Sequence, residues 1–200
     1  MRNINIILPY KETYNTKIAG AVSILVSQLS KFSLFKKKIK IFGSVSLTDP
    51  ITKNYYGIFK KKPFYFFSRT NYYLYLLNKI IKNEHTTINE IHNRPQAAKF
   101  FLKKKPLSRN ILYFHNSPKE LRGSKSVKER LFLLNNLDKI IFVSEWCKRI
   151  FFEGLKIKNS NNTQVVYPGS DCLKKLPKKE KIIVFAGKLN NAKGYYIFLE

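Results

Sequence analysis

Two lysines, Lys188 and Lys193, follow an apolar run at 182–186 and a glycine, Gly187. A short run of that kind suits a strand buried on both faces. Gly187 lets the backbone turn, and both ammonium groups then stand where the amides of a helix start converge. Such an edge binds phosphate or diphosphate, because free N–H groups and the helix dipole already favour negative charge. Two further constellations, His92-Asn93-Arg94-Pro95 and His115-Asn116-Ser117-Pro118, each follow an apolar run. Two His-Asn pairs at equivalent strand ends point to one shared cleft, where Arg94 can clamp a carboxylate or phosphate. Gly20 allows close approach of a phosphate or sugar near the start of a first helix, although helix packing explains it equally well. Ser144-Glu145 ends another strand, and capping is the better account of Ser144. There is no Ser-His-Asp order, metal-ligand cluster or Walker-type loop, so no metal or cofactor is expected.

These residues can be positioned only if strands and helices alternate. Strands are expected at 4–8, 39–42, 55–59, 64–67, 86–91, 111–114, 139–143, 164–167 and 182–186. The spacing of Ile18, Val22, Leu25, Val26 and Leu29 predicts an amphipathic helix. A Tyr- and Leu-rich helix should follow Thr70, and Pro95 should open another that runs to about residue 103. Ser126 and Glu129 form a capping-box pattern ahead of a helix over 127–136, and Ser144 should cap one reaching about residue 155. The alternation predicts an α/β fold: a Rossmann-like doubly wound parallel sheet with helices on both faces. Residues 170–180, polar, Lys-rich and containing Pro177, read as a linker. The domain plan is therefore 1–169, a linker over 170–180, and 181–200 as the first strand and helix start of a second, truncated α/β domain.

The 200 residues carry 38 basic and 12 acidic side chains, a net charge of +26, with 44% hydrophobic and 14% aromatic residues. That composition is globular. No stretch is apolar for long enough to predict a transmembrane helix, and no signal-peptide pattern opens the chain, so a cytoplasmic protein is expected. Cys147 and Cys172 lack metal-like spacing and read as thiols. The basic excess attracts polyanions: nucleic acid, an anionic membrane face or phosphorylated substrates. A compositional bias toward Lys would give the same charge on a merely solvated surface. The runs 36–38, 60–62 and 103–105 flank the aromatic or apolar segments 32–35, 64–67 and 100–102. This pairing suits a peripheral protein at the inner face of a plasma membrane. It would suit a single-strand nucleic-acid platform too, but no module motif accompanies it.

Four segments then resemble a known family in order and spacing. Residues 139–155 (KIIFVSEWCKRIFFEGL) resemble the final N-domain strand and helix of glycosyltransferase family 4, retaining enzymes of the two-domain GT-B fold. Val165-Val166-Tyr167-Pro168-Gly169-Ser170-Asp171 is similar to its V-I-x-N-G-V-D interdomain signature, with Pro168 for Asn. Residues 183–194 are similar to its F-x-G-R-L…K-G segment, and Asn93-Arg94-Pro95 with His115-Asn116 match its strand-end positions. The resemblance implies transfer of a sugar from a nucleotide-sugar donor to a cell-envelope glycan or lipid-linked acceptor, as in polysaccharide or lipopolysaccharide assembly. It implies His115 as the catalytic histidine touching the donor sugar, and Gly20 and Lys193 at the donor diphosphate. Lys188 stands where the family has Arg, keeping the charge without the bidentate fork. Arg94 and Asn116 fall on the acceptor side. The implied catalysis is electrostatic and needs no metal: cations offset charge on the departing nucleoside diphosphate. The family's E-x7-E motif would fall beyond Glu200, so the 200 residues alone are expected to bind donor poorly and not to turn over. Two other classes stay open: a catalytically inactive transferase-like scaffold at an anionic membrane, and a basic nucleic-acid-binding domain, which leaves the strand-end motifs unexplained.

Overall fold

The computed structural model describes residues 3–45, 49–58 and 68–169, and beyond these residues 181, 183–185, 187, 189, 191 and 194–199. The chain divides into two compact units, Met1–Gly169 and Ser170–Glu200. In the first unit seven parallel strands form one sheet: β1 (Asn3–Ile7), β2 (Ile39–Gly43), β3 (Tyr55–Gly57), β4 (Thr87–His92), β5 (Arg109–Phe114), β6 (Lys139–Phe142) and β7 (Thr163–Val165). Their order is β3-β2-β1-β4-β5-β6-β7. The chain builds outward from β1 in one direction, then returns and builds outward from β4 in the other. The switch therefore lies between β1 and β4, where ligands of open α/β sheets bind beyond the carboxyl ends of the strands.

Side chains of successive strand residues point to opposite faces. Ile6 and Leu8 pack with Ile41 and with Val26 of α1 (Ala21–Phe32). Ile7 instead joins Phe42, Ile91, Leu112, Phe114 and Phe142 in the larger cluster. That cluster also takes residues of α2 (Arg69–Ile80), α3 (Pro95–Lys104), α4 (Val127–Asn136) and α5 (Glu145–Phe152). The two clusters lie on opposite faces, so the α/β, doubly wound, Rossmann-like sheet expected from the sequence is the fold observed. No helix among the described residues is long and apolar enough to cross a membrane.

Several boundaries differ from expectation. The first helix begins at Ala21, with Gly20 extended at its N-cap (φ −76°, ψ 165°), and Ile18 lies exposed ahead of it. Ser68, not a residue nearer Thr70, caps α2 by accepting from the Asn71 N–H. Helix α5 stops at Phe152, because Gly154 adopts φ 79° and leaves the helical region. The expected strand at 182–186 is not formed over its described residues: Ile183, Val184 and Phe185 have no regular structure, and Ile183 and Val184 are exposed. A strand is stable only against a neighbour, and the described residues of this second unit contain none. They do contain a short helix, α6 (Tyr195–Leu199), preceded by Gly194 at φ 70°. The expected strand at 64–67 and the linker at 170–180 lie outside the described residues.

Candidate functional site

The carboxyl ends of β4 and β5 bring two of the three histidines together. Glu90, His92 and, across the paired strand, Tyr113 fall on one face of the sheet, because the register sets His92 opposite Tyr113. His92 is fully buried, its ring stacked on Tyr113 with centroids 4.7 Å apart. His92 Nε2 lies 2.9 Å from Glu90 Oε1, and His92 Nδ1 lies 2.9 Å from His115 Nε2.

Proton positions along this chain follow from which atoms can donate. A carboxylate accepts, so His92 donates to Glu90 from Nε2, and the proton between His92 Nδ1 and His115 Nε2 can lie on either nitrogen. His115 Nδ1 is the ring nitrogen outside this chain, an acceptor or a donor according to where that proton lies. Burial, reinforced by the neighbouring His92, pushes the His115 pKa down to about 3. At neutral pH the ring is uncharged. Such a group can share a hydrogen bond with a hydroxyl, and it does not supply a proton as an imidazolium would.

Asn93 fixes the loop that carries this arrangement. It sits in the left-handed region at φ 54°, which Asn tolerates better than most residues. Its N–H donates to the Tyr113 carbonyl at 2.7 Å, and its Oδ1 accepts from the N–H groups of His115 and Asn116, both at 3.3 Å. The ends of β4 and β5 are thereby tied to each other through one side chain. Cys147 supports the same loop from α5, its Sγ donating to the Asn116 carbonyl at 3.4 Å. Burial pushes that thiol up to about 12.

Arg94, next in sequence, donates from Nη1 to the Asn93 carbonyl at 3.0 Å. It lines a cavity of about 440 Å³ with Ser68, Asn71, Asn93, Gln96 and Arg122. Arg122, which the sequence did not single out, is brought there by the turn that contains Gly123. That glycine takes φ 98°, and a Cβ on it would come within 2.8 Å of the Gln96 nitrogen. Among the described residues the cavity wall includes no carboxylate. His115 is not part of that wall, so Arg94 and His115 occupy neighbouring strand ends and face different spaces.

Gly20 stands at the N-terminus of α1, and the chain's own Glu12 already occupies that place. The Ser23 N–H donates to Glu12 Oε1 at 3.1 Å. A Cβ at Gly20 would overlap the Glu12 carboxylate, with Cδ only 2.9 Å away. In this conformation Gly20 serves the approach of a carboxylate. Asn116 is exposed, with its backbone N–H and carbonyl engaged by Asn93 and Cys147. Lys188 and Lys193 lie outside the described residues.

Fold and edge together define an α/β domain of Rossmann type with its polar groups at the carboxyl ends of β4 and β5, beside the strand-order switch. No family model matches the sequence, and no curated protein matches it. Among solved structures the chain is similar to Anabaena Alr3699/HepE in complex with UDP-glucose, with a TM-score of 0.57 and 11% identity over 84% of this chain and 44% of that one. It is similar also to the same protein with UDP and glucose (0.55, 12%, 85% and 45%) and with UDP (0.55, 10%, 84% and 44%). The chain thus spans less than half the length of these structures, and at such identities the likeness is one of fold.

Proposed function

We propose that the chain is the acceptor-side domain and the opening of the donor domain of a retaining glycosyltransferase resembling family 4. It moves a hexosyl group from a nucleotide-sugar donor to a cell-envelope glycan or lipid-linked acceptor, at the cytoplasmic face of an anionic membrane. The observation that carries this reading is the Glu90–His92–His115 chain at the carboxyl edge. It presents a neutral ring nitrogen, suited to a sugar hydroxyl, where ligands of doubly wound sheets bind. Likeness in fold to structures that hold UDP-glucose supports a nucleotide sugar as the ligand.

On this reading residues 1–169 form the first domain, 170–180 the linker and 181–200 the start of the second. His115 touches the donor sugar. Lys188 and Lys193 hold the diphosphate and offset the charge that develops as the nucleotide leaves, without a metal. Arg94 and Asn116 serve the acceptor, with Arg122 joining Arg94 across their cavity. Gly20 borders the donor once Glu12 withdraws from the Ser23 amide.

Calorimetric titration with nucleoside diphosphates and nucleotide sugars tests this, on the chain together with whatever coding sequence follows it. Lys193→Ala should abolish binding of both ligands. His115→Ala should weaken the nucleotide sugar about tenfold, the loss of roughly one hydrogen bond, and leave the free diphosphate unchanged. A folded protein that binds no nucleotide would overturn the transferase reading and leave the inactive scaffold.

A further inference from the structure

The three lysine runs beside apolar segments meet different fates in the fold. Residues 60–67 lie outside the described residues. In the run at 103–105, Lys103 and Lys104 stay exposed while Lys105 turns inward and donates from Nζ to the Asn78 carbonyl at 2.8 Å, and the apolar neighbours are covered, Phe101 fully and Phe100 and Leu102 in part. The run at 36–38 keeps its apolar neighbours in solvent. Phe32 is 65%, Leu34 97% and Phe35 53% exposed.

That segment is held in place. Ser33 Oγ accepts from the Phe35 N–H at 3.1 Å, the Ser33 carbonyl accepts from the Lys36 N–H at 3.2 Å, and the Phe35 carbonyl accepts from the Lys38 N–H at 2.8 Å. The apolar side chains are therefore presented by a fixed turn, and exposed large apolar groups in a cluster mark an interaction surface. Beside them opens a cavity of about 420 Å³ lined by Lys31, Lys36, Lys37 and Lys53, with Ser30, Thr52 and Asn54. None of the four lysines forms an ion pair among the described residues. Four exposed lysines thus border one hollow, and an anion near it would offset their mutual repulsion.

Lys36–Lys38 precede β2, Thr52–Asn54 precede β3, and Lys31 lies in the last turn of α1. The surface thus occupies the amino edge of the sheet, opposite the edge that carries His92 and His115. We propose that this edge docks on an anionic phospholipid bilayer. Phe32, Leu34 and Phe35 enter the boundary between headgroups and acyl chains, while Lys31, Lys36, Lys37 and Lys53 close on lipid phosphates. A nucleic acid would satisfy the lysines and leave Leu34 in water. A second copy of the chain would bring the same four lysines against each other, with +26 on each partner. A bilayer satisfies both sets of groups. Strands of five residues at about 3.3 Å each hold the His115 edge roughly 17 Å from the docking edge. An acceptor served there stands off the lipid surface. The inference specifies the membrane part of the reading above and is independent of sugar transfer, since vesicle binding requires no donor.

Co-sedimentation with vesicles of phosphatidylcholine alone, and of phosphatidylcholine with phosphatidylglycerol, tests it at near-physiological salt. Binding is expected only to the second. Lys36→Gln with Lys37→Gln should weaken it about twenty-fivefold, at roughly fivefold per lysine. Leu34→Asn with Phe35→Asn, which keeps the net charge, should weaken it about tenfold or more while leaving the thermal midpoint and any UDP-sugar affinity unchanged. Lys125→Gln with Lys128→Gln removes the same charge from the exposed start of α4 and should change little. Equal losses from the two lysine pairs, or unaltered binding in the Leu34/Phe35 variant, would overturn the proposal. So would oligonucleotide binding or self-association that the Leu34/Phe35 substitutions abolish.

Discussion

Glu90 and His115 are joined through a single residue. The link is His92, whose two ring nitrogens reach both at 2.9 Å. A histidine held neutral in the fold and free to protonate when unfolded makes stability depend on pH, and the sign follows from proton counting. Between about pH 3 and pH 6.5 the unfolded chain binds a proton at this position and the folded chain does not, so stability rises with pH across that window. The contribution is complete above the unfolded value and is lost on acidification at about 1.4 kcal/mol per pH unit. Urea unfolding at about pH 7 and about pH 5 should show the protein losing roughly 2 kcal/mol from this group alone. His115→Gln should be spared that part of the loss. A gap between the two proteins that stays constant with pH would mean that His115 titrates as an ordinary histidine. Pairing of the two histidines was legible in sequence because each ends a run that reads as a strand. Glu90 belongs to no motif of its own, yet its place two residues before His92 puts it on the same strand face. Asn93 was visible only as part of a repeated His-Asn pair. Its φ of 54° and its bonds across to β5 belong to tertiary structure.

Elements are joined by polar contacts as well as apolar ones. Asn5, Asn89 and Asn110 face each other in register on β1, β4 and β5. Asn5 Nδ2 donates to Asn89 Oδ1 and Asn89 Nδ2 to Asn110 Oδ1, both at 3.1 Å and both buried. Removing the middle member leaves a donor on Asn5 and an acceptor on Asn110 without partners. Asn89→Val should therefore cost about 2–4 kcal/mol in urea unfolding, since each orphaned buried group forfeits its desolvation. Asn5→Val with Asn89→Val should cost less than the sum of the single changes, because the second substitution removes a group the first had orphaned. Strict additivity would show that the amides act independently. In sequence these asparagines only interrupt apolar runs. The ladder depends on strand register, which no local pattern specifies. Signals that act within a few residues were readable: the capping box closes as expected, Ser126 Oγ accepting from the Glu129 N–H at 3.2 Å and Glu129 Oε2 from the Ser126 N–H at 3.2 Å. Helix α1 shows the limit of periodicity, since Ile18 fits the apolar spacing and still lies outside the helix.

At the scale of the whole molecule, the excess of 38 basic over 12 acidic residues was plain in the composition. Which lysines would stay in solvent, and which would turn inward as Lys105 does, depended on packing. Ion pairs among the described residues do little to offset the excess. Lys82–Glu84, Lys99–Glu129 and Lys119–Glu153 all keep partly or largely exposed side chains, and pairs of that kind contribute at most about 1 kcal/mol each. Folding gathers the charges, whereas the unfolded chain spreads them, so mutual repulsion weighs against the compact state. Salt acts on this imbalance through the screening length, which falls from roughly 30 Å at about 0.01 M to roughly 8 Å at about 0.15 M. Repulsion among many distant lysines is screened over that range, while the few close pairs lose little. Sodium chloride should therefore raise the thermal midpoint, by about 2–4 °C for each kcal/mol of repulsion removed in a chain of this size. The rise should level off as the screening length drops below the spacing of the surface lysines. Scanning calorimetry across that salt range reads the effect directly. A midpoint that falls with salt would mean that attraction outweighs repulsion across the folded surface, and that the basic excess is balanced by contacts its composition does not reveal.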